Sequence, residues 1–280
     1  MKNRSLAMLF FVLALGLFAA SAFAGEAKKP AKAGKTRVSS CGLYGNATYL
    51  TGEFSNASYN DSFTRNGLGL GAGCRYNNHS RLSLGIGAEL YFGEFGLRHD
   101  ESRLRGSVSY LEMGLKEWVR AALNLHRVEI GLMLGAEKTK SRGFKIYSLE
   151  MDFGGGWFDF KDFATEHLNS EGELEIWEAG LDVTFPFRRK FSFTFGALWQ
   201  RYNLDLRVRI DDDGRRVLEA LDYDADSVNR DFKHSAHFFY LTPGVKRCGG
   251  RWCTSLTVPW GVFKPNKWSW GAVLGTDLRF

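Results

Sequence analysis

Beyond residue 40, apolar and polar positions alternate with period two over segment after segment, the spacing of strands whose successive side chains point to opposite faces. Segment 42–54 puts Leu43, Ala47 and Tyr49 on one face, and segment 67–76 sets Gly67, Gly69, Gly71 and Gly73 against Leu68, Leu70 and Ala72. In 81–97 the residues Leu82, Leu84, Ile86, Ala88, Leu90 and Phe92 fall in step, opposed by Ser83, Gly85, Gly87, Glu89 and Tyr91. Segments 108–123, 127–137, 173–187, 191–209, 232–247, 254–262 and 268–280 read the same way. In 108–123, Leu111, Leu115 and Val119 also repeat at i+4, the rival helical spacing; the clean alternation of Val128, Ile130, Leu132 and Leu134 next to it favours a strand. Short turns are expected at 77–80, 123–126, 188–190 and 249–252, and longer polar connections at 55–66, 98–105, 138–172 and 210–231.

The last segment is the most telling. Trp268, Trp270, Ala272, Leu274, Thr276, Leu278 and Phe280 share one face, while Ser269, Gly271, Val273, Gly275, Asp277 and Arg279 share the other, and the sequence stops on an aromatic residue. This stretch resembles the carboxy-terminal strand of bacterial outer-membrane β-barrels, with Trp270, Leu274, Leu278 and Phe280 in the place of the assembly signal. The resemblance implies an all-β transmembrane barrel in the outer membrane of a Gram-negative cell, with outer-membrane lipid and the barrel assembly machinery as partners. Ten antiparallel up-and-down strands follow from the segments above. Twelve follow if the aromatic stretches Ile146–Phe153 and Trp157–Phe163, around Gly154-Gly155-Gly156, add a membrane hairpin. Long connections at one end and short turns at the other fit such a barrel, and an even count returns both termini to the periplasm.

The amino-terminal 24 residues have the layout of a cleaved signal peptide: Lys2 and Arg4, an apolar run from Leu6 to Ala20, and small residues at Ala22 and Ala24. Residues 25–40 then read as a basic flexible periplasmic tail, and 41–280 as the barrel domain. No later stretch approaches the roughly 20 continuous apolar residues that a membrane helix needs. Aromatics at 15%, 32 Gly and only 5 Pro suit many strands with aromatic belts and small inner residues. The net charge of +6 falls to +4 without Lys2 and Arg4, an excess carried mostly by the tail, and with no basic-aromatic motif it does not point to nucleic acid.

Four cysteines in an oxidising compartment are expected to pair. Cys41 and Cys74 leave the same face of neighbouring antiparallel strands, and Cys248 and Cys253 flank one short turn, so the expected bridges are Cys41–Cys74 and Cys248–Cys253.

The chain carries few signatures of chemistry. No serine elbow, zinc helix or phosphate loop occurs, and the Gly67–Gly73 alternation is explained by small residues facing a narrow lumen. No cofactor is expected. Asp222, Asp224 and Asp226 alternate as calcium ligands do, but Ser227 and Lys233 stand where the loop would need Gly and a bidentate acid, so no metal is assigned. Asp231, His234 and His237 are the nearest approach to an acid–base set. Ten strands is the size of the omptin proteases, which use paired Asp residues and an Asp-x-His element at the mouth. Asp231-Phe232-Lys233-His234 is one residue wider, so that resemblance is of size only. Ser235 beside His237 is the only pair suggesting a lipid-facing deacylase. Glu89, Glu112, Lys116, Arg120, Glu178 and Asp182, with Glu129, Asp277 and Arg279, fall on inner faces, where opposite charges can pair and fill the lumen. The expected role is structural or surface-interacting, or that of a narrow pore for small solutes. The alternative is a barrel-embedded hydrolase with its site at the outer mouth.

Overall fold

The computed structural model describes residues 38–279, apart from 56–58, 78–80, 102–103, 126–127, 153–155, 189, 221, 223 and 263–265. The expected leader, most of the basic tail and Phe280 lie outside the described residues. The strands are β1 (Val38–Ser55), β2 (Tyr59–Asn77), β3 (Leu82–Glu101), β4 (Leu104–Leu125), β5 (Val128–Asp152), β6 (Trp157–Asp159), β7 (Leu168–Arg188), β8 (Phe191–Ile210), β9 (Arg230–Leu241), β10 (Gly244–Gly249), β11 (Trp252–Thr257), β12 (Trp260–Gly261) and β13 (Asn266–Arg279). Helices α1 (Lys161–His167) and α2 (Asp212–Ala220) and a 3-10 turn (Ala225–Val228) occupy the long connections.

All neighbours pair antiparallel, and β13 pairs with β1 from Arg279 opposite Gly42 to Asn266 opposite Phe54, closing the ring and leaving no free edge between first and last strands. The ring has ten staves. β9 and β10 form one stave, interrupted at Thr242-Pro243, and β11 and β12 another, interrupted at Val258-Pro259. Proline has no N–H for the ladder. Single bonds bridge the breaks: Thr242 N–H donates to Gly196 O at 2.8 Å and Val258 N–H to Pro243 O at 2.9 Å. The segment 144–163 adds no membrane hairpin; it lengthens β5 and adds β6 and α1 at the outer end.

The strands are longer than the hydrophobic alternation alone suggests. β1 to β5, β7 and β8 run 18 to 25 residues, about twice the 9–11 needed to cross a bilayer. The apolar outer belt sits beside the short turns, with Leu68 and Leu70 on β2, Leu90 and Phe92 on β3, Leu181 and Phe185 on β7 and Phe191, Phe193 and Phe195 on β8 all exposed. The barrel therefore projects beyond the membrane at its long-connection end. The residues expected to form loops at 55–66 and 98–105 are mostly ladder: Asp61 pairs with Phe54 and Asp100 with Arg105. In the projecting part the outer face is wet and polar, so the alternation that marks a lipid-facing strand is lost while its hydrogen bonds continue.

Candidate functional site: a closed lumen beneath a polar outer collar

Inside the belt, the Gly67–Gly73 row makes room for bulky inner groups. A Cβ on Gly67 would strike Tyr91, on Gly69 the Glu89 carboxylate, and on Gly71 the Tyr44 ring. That space holds three storeys of polar pairing. Nearest the short turns, Arg120 bridges Glu129 at 2.7 Å and Asp182 at 2.8 Å, Arg75 reaches Glu129 at 2.6 Å, and Lys246 meets Asp277 at 2.9 Å. In the middle, Asn46 Nδ2 donates to Glu89 Oε2 at 2.9 Å, Lys116 lies 2.7 Å from Glu178, and Trp118 Nε1 donates to Tyr44 Oη at 2.6 Å. Above these, Arg65 is clamped between Glu112 (3.0 Å) and Glu137, with its guanidinium 4.2 Å from the centre of the Tyr91 ring.

Over this charged column lies an apolar layer. Leu50, Phe63, Phe95, Tyr110, Leu174, Ile176, Tyr202, Leu206, Phe238 and Tyr240 point inward and pack into one buried cluster. The contact crosses the lumen: the Phe63 ring on β2 lies 5.2 Å from Phe238 on β9 and 6.2 Å from Tyr202 on β8. A rim cluster of Ile210, Leu218 and Ala225 with Phe163, Leu168 and Val228 gathers α1, α2 and the 3-10 turn above β7 and β8.

Glu89, Glu112, Lys116, Arg120, Glu129, Glu178, Asp182 and Asp277 all take part in these pairs, joined by Arg65 and Glu137, while Arg279 is exposed. Arg65 escaped the sequence reading because it fell in a stretch taken as a loop. It continues the parity of Gly67, so extending the strand by two residues would have placed it. The aromatic seal is hidden for the same reason, since Phe63 falls in that stretch and the top of β3 reads as a connection. Cys41 is bonded to Cys74 and Cys248 to Cys253, with Cα atoms 4.0 Å apart in each pair. On β13, Trp270 and Leu274 are exposed on the lipid face and Leu278 pairs with Leu43.

Asp231 and His237 share the register of Phe239, which faces outward, and the side chain of His234 lies outside the described residues. Asp231 is held by Arg209 at 2.6 Å, and His237 stacks on Trp199 at 5.7 Å, both on the outer wall. Ser235 donates to Asn203 Oδ1 at 2.9 Å rather than to a histidine. Of the loop acids, Asp224 accepts from the Asp226 N–H at 3.0 Å, Asp226 pairs with Arg215 at 2.8 Å, and Asp222 takes a positive φ of 65°. Among the described residues they form no cation-binding group.

The outer wall of β3, β4 and β5 carries a concavity of about 490 Å³ lined by polar residues, including Arg98, Asp100, Arg105, Ser107, Tyr147 and Glu150. Arg98 pairs across the ladder with Ser107, and Asp100 with Arg105, in unbroken register with Phe92 and Met113 of the apolar belt below, so these side chains share the belt's outward face.

No family profile matches the chain, and no curated protein matches it in sequence. Solved structures do. The outer-membrane protease OmpT of Escherichia coli aligns over 89% of this chain and 99% of its own, with a TM-score of 0.54 at 7% identity. The translocator domain of the autotransporter NalP of Neisseria meningitidis aligns over 99% and 98%, with a TM-score of 0.47 at 8% identity. The COG4313 outer-membrane channel of Pseudomonas putida F1 aligns over 91% and 100%, with a TM-score of 0.46 at 11% identity. At such identities the likeness speaks to fold alone. A closed antiparallel ring with an apolar outer belt, aligned with OmpT over nearly the whole of both chains, gives this chain the fold of the outer-membrane β-barrels.

Proposed function

We propose that this protein is a closed barrel with a structural and surface-interacting role, and that it does not conduct solutes. The observation that carries this reading is the inward cluster joining Phe63 to Phe238 and Tyr202 across the lumen, above the Arg65–Glu112–Glu137 clamp. Water and ions cross a filled apolar layer poorly, because an ion there loses its hydration with no polar group to replace it. On this reading the partners are outer-membrane lipid, the assembly machinery that handles β13, and a ligand met at the projecting half. The hydrolase alternative draws no support from Asp231, which pairs with Arg209, or from His237, which stacks on Trp199.

Planar-bilayer recording of the refolded full chain tests this. The wild type is expected to give no discrete conductance steps, and the double substitution Phe63→Ala with Phe238→Ala to create them. Steady ohmic steps from the wild type would sink the closed-lumen reading.

A further inference from the structure

The geometry points to the outer-wall concavity on β3–β5 as a binding site for the saccharide headgroup of an outer-leaflet glycolipid, an assignment that rests on the surface-interaction reading above. Its floor is built from small residues. Ser107 lies between Arg98 and Ser148 in the ladder, with Gly106 beside it, so hydroxyls and bare backbone replace the side chains that would otherwise fill the wall. Its rim is aromatic and charged. Tyr147 is half exposed, and the Arg105 guanidinium lies 4.2 Å over the Trp157 ring while its Nε donates to Asp100 at 3.0 Å. Hydroxyls, carboxylates and aromatic faces converging on one hollow suit a ring rich in hydroxyl groups.

Arg98 sets the charge of the ligand. It is exposed, and whereas Arg105 is matched by Asp100, no carboxylate among the described residues lies within ion-pairing distance of Arg98. An acidic or phosphorylated substituent would meet it with charge-assisted bonds.

Height selects the kind of lipid. From Phe92, the last belt residue on β3, to Arg98 is six residues, or about 20 Å along the strand at ~3.3 Å each. With a barrel tilt of about 40°, that is roughly 15 Å above the apolar belt. A phospholipid headgroup layer is only about 5–8 Å thick. The phosphate of an ordinary phospholipid therefore stops short of Arg98, while an extended saccharide headgroup reaches it. The hollow opens on the outer side of the wall, above the belt at the long-connection end, which places a ligand anchored in the outer leaflet, rather than one in the lumen, within its reach.

The test uses the full chain in detergent with purified rough-type lipopolysaccharide as the probe, followed by native mass spectrometry. Heat-modifiable gel mobility checks that every variant is folded. Ser107→Trp and Ser148→Trp, which fill the hollow from two positions in its lining, are each expected to weaken retention at least about tenfold, and Arg98→Ala by about tenfold, the loss of one charge-assisted hydrogen bond. Arg201→Ala, on the wall of β8, should leave retention unchanged, and core oligosaccharide freed of its acyl chains should compete. Wild-type retention in both filled variants would overturn the assignment. So would an equal loss in Arg201→Ala, retention of phosphatidylglycerol as strong as that of the glycolipid, or failure of the freed oligosaccharide to compete. A barrel that stays silent in the bilayer but shows no glycolipid preference defeats this inference alone. A conducting barrel that loses glycolipid on Ser107→Trp defeats only the closed-lumen reading.

Discussion

The half of the barrel inside the apolar belt and the half that projects beyond it are built from the same strands by opposite rules. In the lower half of β7, Leu181, Phe185 and Phe187 face out while Glu178 and Asp182 face in; a few residues further out, Leu174 and Ile176 face in and Glu171, Glu173 and Glu175 take the outer positions. β8 repeats the exchange: Phe191, Phe193 and Phe195 are exposed, then Tyr202 and Leu206 are buried inside while Arg201, Asp205 and Arg207 share the outer register. No bulge separates the two halves of β7 until Pro186, near its end, so the pleat is continuous and only the solvent changes. Where lipid bathes the wall, apolar groups go outward and charges pair inside; where water bathes it, the lumen becomes an ordinary apolar core. One sheet thus serves two solvents.

The border between the halves is the place to break this arrangement. Arg65 sits there with side-chain exposure of 6%, against two acids of 3% and 8% exposure. Arg65→Ala leaves both carboxylates buried without a counter-charge, a loss of about 3–5 kcal/mol. Denaturant unfolding in lipid vesicles would measure it, and adding Glu112→Gln and Glu137→Gln to the same chain should recover most of the loss. A smaller contrast lies along the outer face of β7. Leu181→Arg puts a charge into lipid and is expected to cost about 2–4 kcal/mol, whereas Glu171→Lys, on the same face above the belt, should stay within about 0.5 kcal/mol. Equal costs at the two positions would mean that the belt ends elsewhere.

The smallest effect is expected at the rim. The Asp211 carboxylate is held below its ordinary pKa chiefly by the Gly214 N–H, which donates to it at 2.7 Å at the start of α2, and also by His167. A depressed carboxylate contributes stability that is present above its unfolded-state pKa and fades as pH falls through the folded value. The protection of the Gly214 amide, relative to its intrinsic exchange rate at each pH, should therefore fall on acidification through the carboxylate range, with Asp211→Asn showing the lower protection already at neutral pH, while the lumen core stays protected.

How far the sequence could be read follows the same border. Leu68, Leu70, Leu90 and Phe92 announce themselves because each stands between small or polar neighbours. The stave count, the closing role of β13 and the two cysteine pairs all followed from parity within the belt. Above it the phase of the alternation reverses, and at Ile176-Trp177 an inner apolar residue directly adjoins an outer one. The result reads as an irregular patch, so the pattern predicts a loop at Phe63 and Arg65 and a connection at the top of β3. Asp231 and His237 stand close in sequence, but the structure gives each its own partner on the outer wall, Arg209 for the first and Trp199 for the second.

By itself, the sequence determined that the chain forms period-two strands in an all-β ring of about ten staves with an apolar exterior, since each of those features is a local alternation read within one strand. Which inner residues meet across the lumen was decided only by the tertiary structure. Phe63 and Phe238 are 175 positions apart and approach because ring closure brings β2 and β9 face to face. The clamp of Arg65 by Glu112 and Glu137, and the hollow shared by β3, β4 and β5, likewise depend on strand register. Register is set by hydrogen bonds between strands, and no single strand's pattern of polar and apolar residues records it.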